Sequence, residues 1–258
     1  METHAEDIQI DGRKVLVVRP LQRGRWPGVV MAHEIFGIDD VLRRHAQRLA
    51  SAGYIVYAPD FLGDGPWLRC IRSALHALQE RSGKPFEVFE SARQQVREDA
   101  TCNGKVGVIG FCMGGGFALL LSADGYDASA VNYGPIPDDI DDVASRACPI
   151  VASYGGKDRM ADDVPALKAA LQRHAVTHDI EVYPSAGHCF LNDEINGPTW
   201  LRPAARRLQR FTHVGPEPMA AANAWRRIEA FFAEHLHLES ARSATRPGDD
   251  GDQGGPQR

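Results

Sequence analysis

The chain has 258 residues, 43% of them hydrophobic and 24% charged, with a formal net charge of -5. Those totals describe a soluble globular chain, long enough to bury a core without metal or disulfide staples. They point away from nucleic acid or an anionic membrane surface as the main partner. The acidic start lacks the apolar stretch of a secretory signal, and no apolar run is long enough for a bilayer, so a cytoplasmic protein is expected. Cys70, Cys102, Cys112, Cys148 and Cys189 are odd in number and form no Cys-x-x-Cys pair. Neither a disulfide framework nor a closed zinc site is expected, and the question becomes which thiol reacts.

In chain order, Ile8 and Ile10, the Asp11-Gly12 pair, then Val15 and Val17 predict a β-hairpin. Residues 28–33 form a short apolar run suited to a buried strand. From 39 to 52, Val41, Leu42, Leu49 and Ala50 recur at helical spacing, with Asp39 or Asp40 as N-cap and Gly53 as the stop. Residues 54–58 predict a second buried strand, and 61–102 helix in parts, broken near 82–85. A strand over 105–109, a helix over 113–122 and a strand over 128–133 follow, and then an acidic turn rich in Pro and Asp. The pattern repeats as a strand (149–154), a helix (164–173) and a strand (179–183), and an amphipathic helix over 218–236 closes it. Strands alternating with helices imply an α/β fold: a mostly parallel central sheet, helices on both faces and an antiparallel N-terminal edge. A single domain over 1–238 is expected, with a possible lid or insertion at 195–217 and a disordered tail at 239–258, where apolar residues run out.

The feature with most chemistry is Gly110-Phe111-Cys112-Met113-Gly114, between a predicted strand and an apolar helix. That is the setting of a nucleophile elbow, with Cys in place of Ser. The sharp turn exposes the nucleophile, the flanking glycines keep Cβ atoms out of crowded space, and the helix N-terminus favours a thiolate. A nucleophile needs a base, and the base an orienter. Asp158 and His188 stand on glycine-containing loops after later predicted strands, in the hydrolase order of nucleophile, acid, histidine. His33-Glu34-Ile35-Phe36-Gly37 follows the early strand, where hydrolases place an oxyanion amide. Ile35, paired with the amide of Met113, is the candidate for it, and Glu34 would lie near the thiol. Read singly, Cys112 is a small core residue, Asp158 a turn cap, His188 a structural imidazole and Glu34 a surface carboxylate. Their order and positions together favour chemistry.

The segments His-Glu-Ile-Phe-Gly (33–37), Ala-Pro-Asp (58–60), Gly-Phe-Cys-Met-Gly-Gly (110–115), Gly-Lys-Asp (156–158) and Gly-His-Cys-Phe-Leu-Asn-Asp (187–193) resemble those of the dienelactone hydrolases, over roughly residues 8–236. The resemblance implies the α/β-hydrolase fold, a Cys112–His188–Asp158 triad and a Glu34 that helps to take the thiol proton. It implies hydrolysis of a small ester or enol-lactone through an acyl-cysteine, with no metal or organic cofactor. It also marks departures. Family members that act on dienelactone hold the substrate carboxylate with arginines, one of them four residues beyond the histidine, where this chain has Asn192. Arg69 and Arg72 lie where another anchor occurs, and Arg72, Phe36 and Tyr133 are the candidate substrate-binding residues, although Tyr133 equally fits the core. Residues 195–217 exceed the compact pattern. Trp200, Leu201, Ala204, Leu208 and Phe211 form one apolar face there, beside Arg202, Arg206, Arg207 and Arg210. That stretch reads as a solvated surface helix, or as a lid whose arginines replace the anchor. Other readings stay open: a carboxylesterase or thioesterase of different range, a catalytically quiet member binding a ligand or partner, or a thiol redox sensor with Cys189 as resolving thiol. A monomer is expected.

Overall fold

The computed structural model describes residues 1–197 and 213–237. Eight strands form one sheet in the order β1-β2-β4-β3-β5-β6-β7-β8. β1 (Thr3–Ile10) and β2 (Arg13–Pro20) are the hairpin expected around Asp11-Gly12, and both turn residues have positive φ, as a tight two-residue hairpin turn requires. β2 pairs antiparallel with β4 (Ile55–Pro59), and every pairing beyond it is parallel. β3 (Trp26–Ala32) starts earlier than its apolar run, because a bulge lets the strand tolerate Pro27. β5 (Cys102–Phe111), β6 (Ala128–Asn132), β7 (Ile150–Gly155) and β8 (His178–Tyr183) complete the sheet.

Successive side chains leave a strand on opposite faces, so each strand feeds two cores. Val30, Ala32, Val106 and Val108 face one layer, where α3 (Lys84–Glu98), α4 (Met113–Leu121) and α6 (Val164–Arg173) pack through Phe89, Phe117 and Leu167. Val29, Met31, Ile109 and Phe111 face the other, under α1 (Asp40–Ser51) and the closing helix α7 (Pro218–Leu236), through Leu49, Trp225 and Phe232. Asp39 caps α1 by accepting from the Leu42 amide at 3.0 Å. The region predicted as interrupted helix resolves into α2 (Trp67–Glu80) and α3, parted at Arg81 by a left-handed residue. The Pro- and Asp-rich stretch after β6 is not only turn: Ile140–Ala144 forms the short helix α5, because Ile140, Val143 and Ala144 bury one face. The possible lid and the tail fall largely outside the described residues, among them Trp200, Leu201, Ala204, Leu208, Phe211 and the four arginines beside them.

The sheet reverses direction of growth at β3. From β3 the chain passes through α1 to β4 on one side, then crosses to β5 on the other. Loops at the carboxyl ends of strands flanking such a switch point away from each other and leave a crevice, the usual ligand site of an open α/β sheet. The loops after β3 and β5 carry Glu34 and Cys112.

Candidate active site

Cys112 stands between β5 and α4 with φ 55° and ψ -122°, a conformation costing a non-glycine residue about 1–3 kcal/mol. The elbow is held by its backbone. The Cys112 amide donates to Asn132 O at 3.1 Å, and the amides of Gly115 and Gly116 donate to Cys112 O. Packing leaves no room for side chains beside it. A Cβ on Gly110 would lie 1.9 Å from Gly114 O, and one on Gly114 would lie 2.3 Å from Ala32 O. Both obstacles are backbone and cannot rotate away. Gly110→Ala is therefore expected to destabilise the fold by about 3 kcal/mol, readable as a lower denaturant midpoint at unchanged slope. A variant with parental stability would show that the elbow is not tightly packed.

Asp158 follows β7 and His188 follows β8, and the pairing of those strands brings the two loops together. His188 Nδ1 donates to Asp158 Oδ2 at 2.6 Å, which turns Nε2 away from the acid. The other Asp158 oxygen accepts from the Met160 amide at 3.1 Å and fixes the carboxylate plane. The imidazole packs edge-on against Tyr133, ring centroids 5.1 Å apart. Its other polar contact is Cys112. Burial pushes the His188 pKa down, but the hydrogen bonds to Asp158 and Cys112 outweigh it and raise the imidazole to about 10. The Cys112 thiol moves the opposite way. A hydrogen bond with Cys189 lowers it most, burial opposes, and His188 and the Met113 amide lower it further, leaving it well below the usual thiol range. The two shifts run in the directions that favour a thiolate beside an imidazolium.

Glu34 is not the surface carboxylate of its single-residue reading. It is buried beneath the thiol, in a cage of donors. Its Oε1 accepts from Tyr133 Oη at 3.2 Å and Asn192 Nδ2 at 3.3 Å, and its Oε2 accepts from Asn196 Nδ2 and, at 3.6 Å, from Cys189 Sγ. Burial and the Cys112 charge raise its pKa. The Asn196 bond, the His188 charge and the Asn192 bond lower it, and the balance lies at about 7. A carboxyl poised there can exchange a proton with the thiol without full commitment to either state.

His33, fully buried, stacks on Phe61 at 3.9 Å and donates from Nδ1 to Glu34 O at 2.6 Å. In a trans peptide the N–H opposes the C=O, so holding that carbonyl turns the Ile35 amide the other way. The Ile35 carbonyl accepts from Trp67 Nε1 at 2.8 Å, which ties the loop to the start of α2. The Met113 amide lies beside the Cys112 sulfur.

Of the candidate substrate-binding residues, Phe36 is half-buried on the same loop, stacked on Trp67 at 6.0 Å and packed near Gly197. Tyr133 takes the core alternative: it is fully buried and its hydroxyl faces Glu34. Arg69 and Arg72 stand on the exposed side of α2, and among the described residues no ion pair or hydrogen bond joins them to the Cys112 group. Asn192, at the position of the missing anchor, is buried, with Nδ2 on Glu34 and Oδ1 3.2 Å from His45 Nε2. Its amide serves the carboxylate cage. Asn196 had no signal in the sequence, since only tertiary structure brings it to Glu34. Among the described residues no group of three or more His, Cys, Asp or Glu side chains is placed to hold a metal, and no helix is long and apolar enough to cross a membrane.

A nucleophile-elbow geometry at the switch point of an eight-stranded sheet is that of an α/β hydrolase, and solved structures share the fold. A dienelactone hydrolase-like promiscuous phosphotriesterase from metagenomic libraries superposes with a TM-score of 0.71 at 20% identity, over 92% of this chain and 99% of that one. The brefeldin A esterase, a bacterial homologue of human hormone-sensitive lipase, gives a TM-score of 0.60 at 19% identity, over 91% and 77%. Residues 14–236 match the dienelactone hydrolase family, and the chain belongs to it. As a member of that family it is a carboxylic ester hydrolase. A carboxymethylenebutenolidase of Pseudomonas putida is 26% identical over 203 residues, 74% of this chain and 86% of that protein.

Proposed function

We propose that the protein hydrolyses a small ester or lactone through an acyl intermediate on Cys112. The observation that carries the reading is the contact of the Cys112 thiol with an imidazole whose other nitrogen is held by Asp158 at 2.6 Å. In this mechanism the Cys112 thiolate attacks the carbonyl carbon, and the amides of Ile35 and Met113 receive the negative charge on oxygen. As the intermediate collapses, the C–O bond to the leaving alkoxide breaks and His188 gives that oxygen its proton. Neutral His188 then takes a proton from water, whose oxygen attacks the thioester. The carboxylic acid departs, Cys112 leaves as thiolate and His188 regains its charge. Where His188 already carries its proton, Glu34 takes the proton of the Cys112 thiol and returns it when the thiol re-forms.

Asn192 bears on the substrate. With its amide directed to Glu34, Asn192 itself supplies no cation at the place from which relatives of the dienelactone type hold a carboxylate, and uncharged acyl groups are the better fit. The lactone class follows from the family and from relatives named carboxymethylenebutenolidase.

Rapid quenching during turnover of 4-nitrophenyl acetate tests the mechanism. A burst of nitrophenol close to one equivalent is expected, with an acetyl group on the peptide that contains Cys112. A linear time course with an unmodified Cys112, while other thiol-directed probes also fail to label it, would support a ligand-binding member of the fold instead.

A further inference from the structure

The side chain of Cys189 belongs to the core cluster against which Cys112 packs, and its sulfur lies beside Cys112 on one side and 3.6 Å from Glu34 Oε2 on the other. One S–H proton cannot serve both neighbours, so Cys189 stands between a nucleophilic sulfur and a carboxylate with a single hydrogen to share. In the hydrolysis proposed above it serves only as a neighbour that favours the Cys112 thiolate and takes no part in bond making. Both cysteines also have a left-handed backbone, φ 55° at Cys112 and φ 60° at Cys189, so packed loops on either side define the approach of the two sulfurs. Two of the other thiols are distant. Cys102 begins β5 at the far end from Cys112, about 30 Å along an extended strand, and Cys148 precedes β7 at that same far end of the sheet.

We propose that Cys189 is a resolving thiol, which captures oxidised Cys112 as a reversible disulfide and so protects the nucleophile from destruction by hydroperoxides. The proposal rests on Cys112 being the reactive thiol. Cys112 is the more exposed of the two, and its sulfur is held as thiolate, so it meets the oxidant first. It attacks one peroxide oxygen. The O–O bond breaks, hydroxide leaves, and Cys112 becomes a sulfenic acid while the peroxide is reduced. Cys189 is buried and kept protonated by its contact with Cys112, by burial and by the Glu34 charge, so it does not compete for the oxidant. Once the thiolate is gone, Glu34 can take the Cys189 proton. The Cys189 sulfur then attacks the sulfenic sulfur, an S–S bond forms, and the departing hydroxide leaves as water with a proton from His188. No further oxidant is needed. A dithiol reductant returns both thiols.

The test exposes the full chain to hydrogen peroxide and follows its intact mass, its peptide map and its esterase activity before and after dithiothreitol. The expected result is loss of two hydrogens with no oxygen retained, a cross-linked pair of peptides containing Cys112 and Cys189, and activity that returns on reduction. Cys189→Ser, with Cys189→Ala beside it, should instead accumulate two oxygens on Cys112. Each should recover at least about tenfold less of its own starting activity than the parent, since sulfinic acid resists thiols. Melting curves of both variants establish that they fold. A parent that only gains oxygen, or a Cys189→Ser protein that recovers as fully as the parent, would overturn the proposal. The mass readout separates the two readings. Hydrolysis that persists in Cys112→Ala sinks the acyl-cysteine mechanism whatever the peroxide does. A Cys112-dependent enzyme that never loses two hydrogens sinks only the disulfide.

Discussion

Cys112→Ala is expected to lower kcat/KM for an activated aryl ester by about four orders of magnitude, leaving only what the oxyanion amides and substrate positioning supply. The loss should lie mostly in kcat, because in the proposed mechanism the thiolate acts in bond formation and contributes little to ground-state binding. The same variant makes a second prediction by electrostatics. Cys112 is one of the charges that hold His188 high and one that raises Glu34. Without the thiolate both pKa values should fall, the imidazole towards the ordinary histidine range and the carboxyl towards the ordinary carboxylate range. Titration of the His188 ring by NMR reads the first shift directly. An unchanged midpoint would mean that Asp158 alone sets the imidazole, and the thiolate–imidazolium pair would have to be abandoned. Full esterase activity in Cys112→Ala would remove the nucleophile itself.

What the sequence revealed of this site follows from which contacts are local. The elbow was legible because strand, turn and helix are contiguous, and because Gly110 and Gly114 stand where a Cβ would strike backbone. Asp158 and His188 were legible through their places after successive strands, since parallel pairing of β7 with β8 is the ordinary outcome of such a pattern. The cage around Glu34 was not. Tyr133, Asn192 and Asn196 reach it from 99, 158 and 162 residues away, and no periodicity carries that information. Asn192 is the instructive case. Comparison with the family marked it as an absent anchor, whereas the fold gives it a buried position between Glu34 and His45. α5 was missed for a smaller reason. A helix of five residues has too few turns for its apolar period to stand out from acidic neighbours.

Glu34 sets function against stability, and Glu34→Gln should expose the conflict. In the unfolded chain its carboxyl titrates near 4.5, and in the fold at about 7. Below the lower value both states are protonated and the residue brings no pH dependence. Between the two values the unfolded chain has released the proton and the folded one retains it, so each rise in pH costs stability. Above the upper value the loss is complete, about 3 kcal/mol for a shift of this size. Glutamine cannot ionise and escapes that loss. Its amide nitrogen, however, must take the place either of the oxygen that accepts from Tyr133 or of the one that accepts from Asn196, a mismatch of about 1–3 kcal/mol that does not vary with pH over this range. The diagnostic quantity is therefore a slope. The stability of Glu34→Gln relative to the parent should rise between about pH 4.5 and pH 8 by most of 3 kcal/mol, measured by denaturant unfolding at several pH values. Over the same range kcat/KM should fall about a hundredfold, the scale of a lost proton acceptor. Parallel stability curves for the two proteins would mean that the folded carboxyl titrates normally, and the role of Glu34 as a neutral-pH proton store would fail with them.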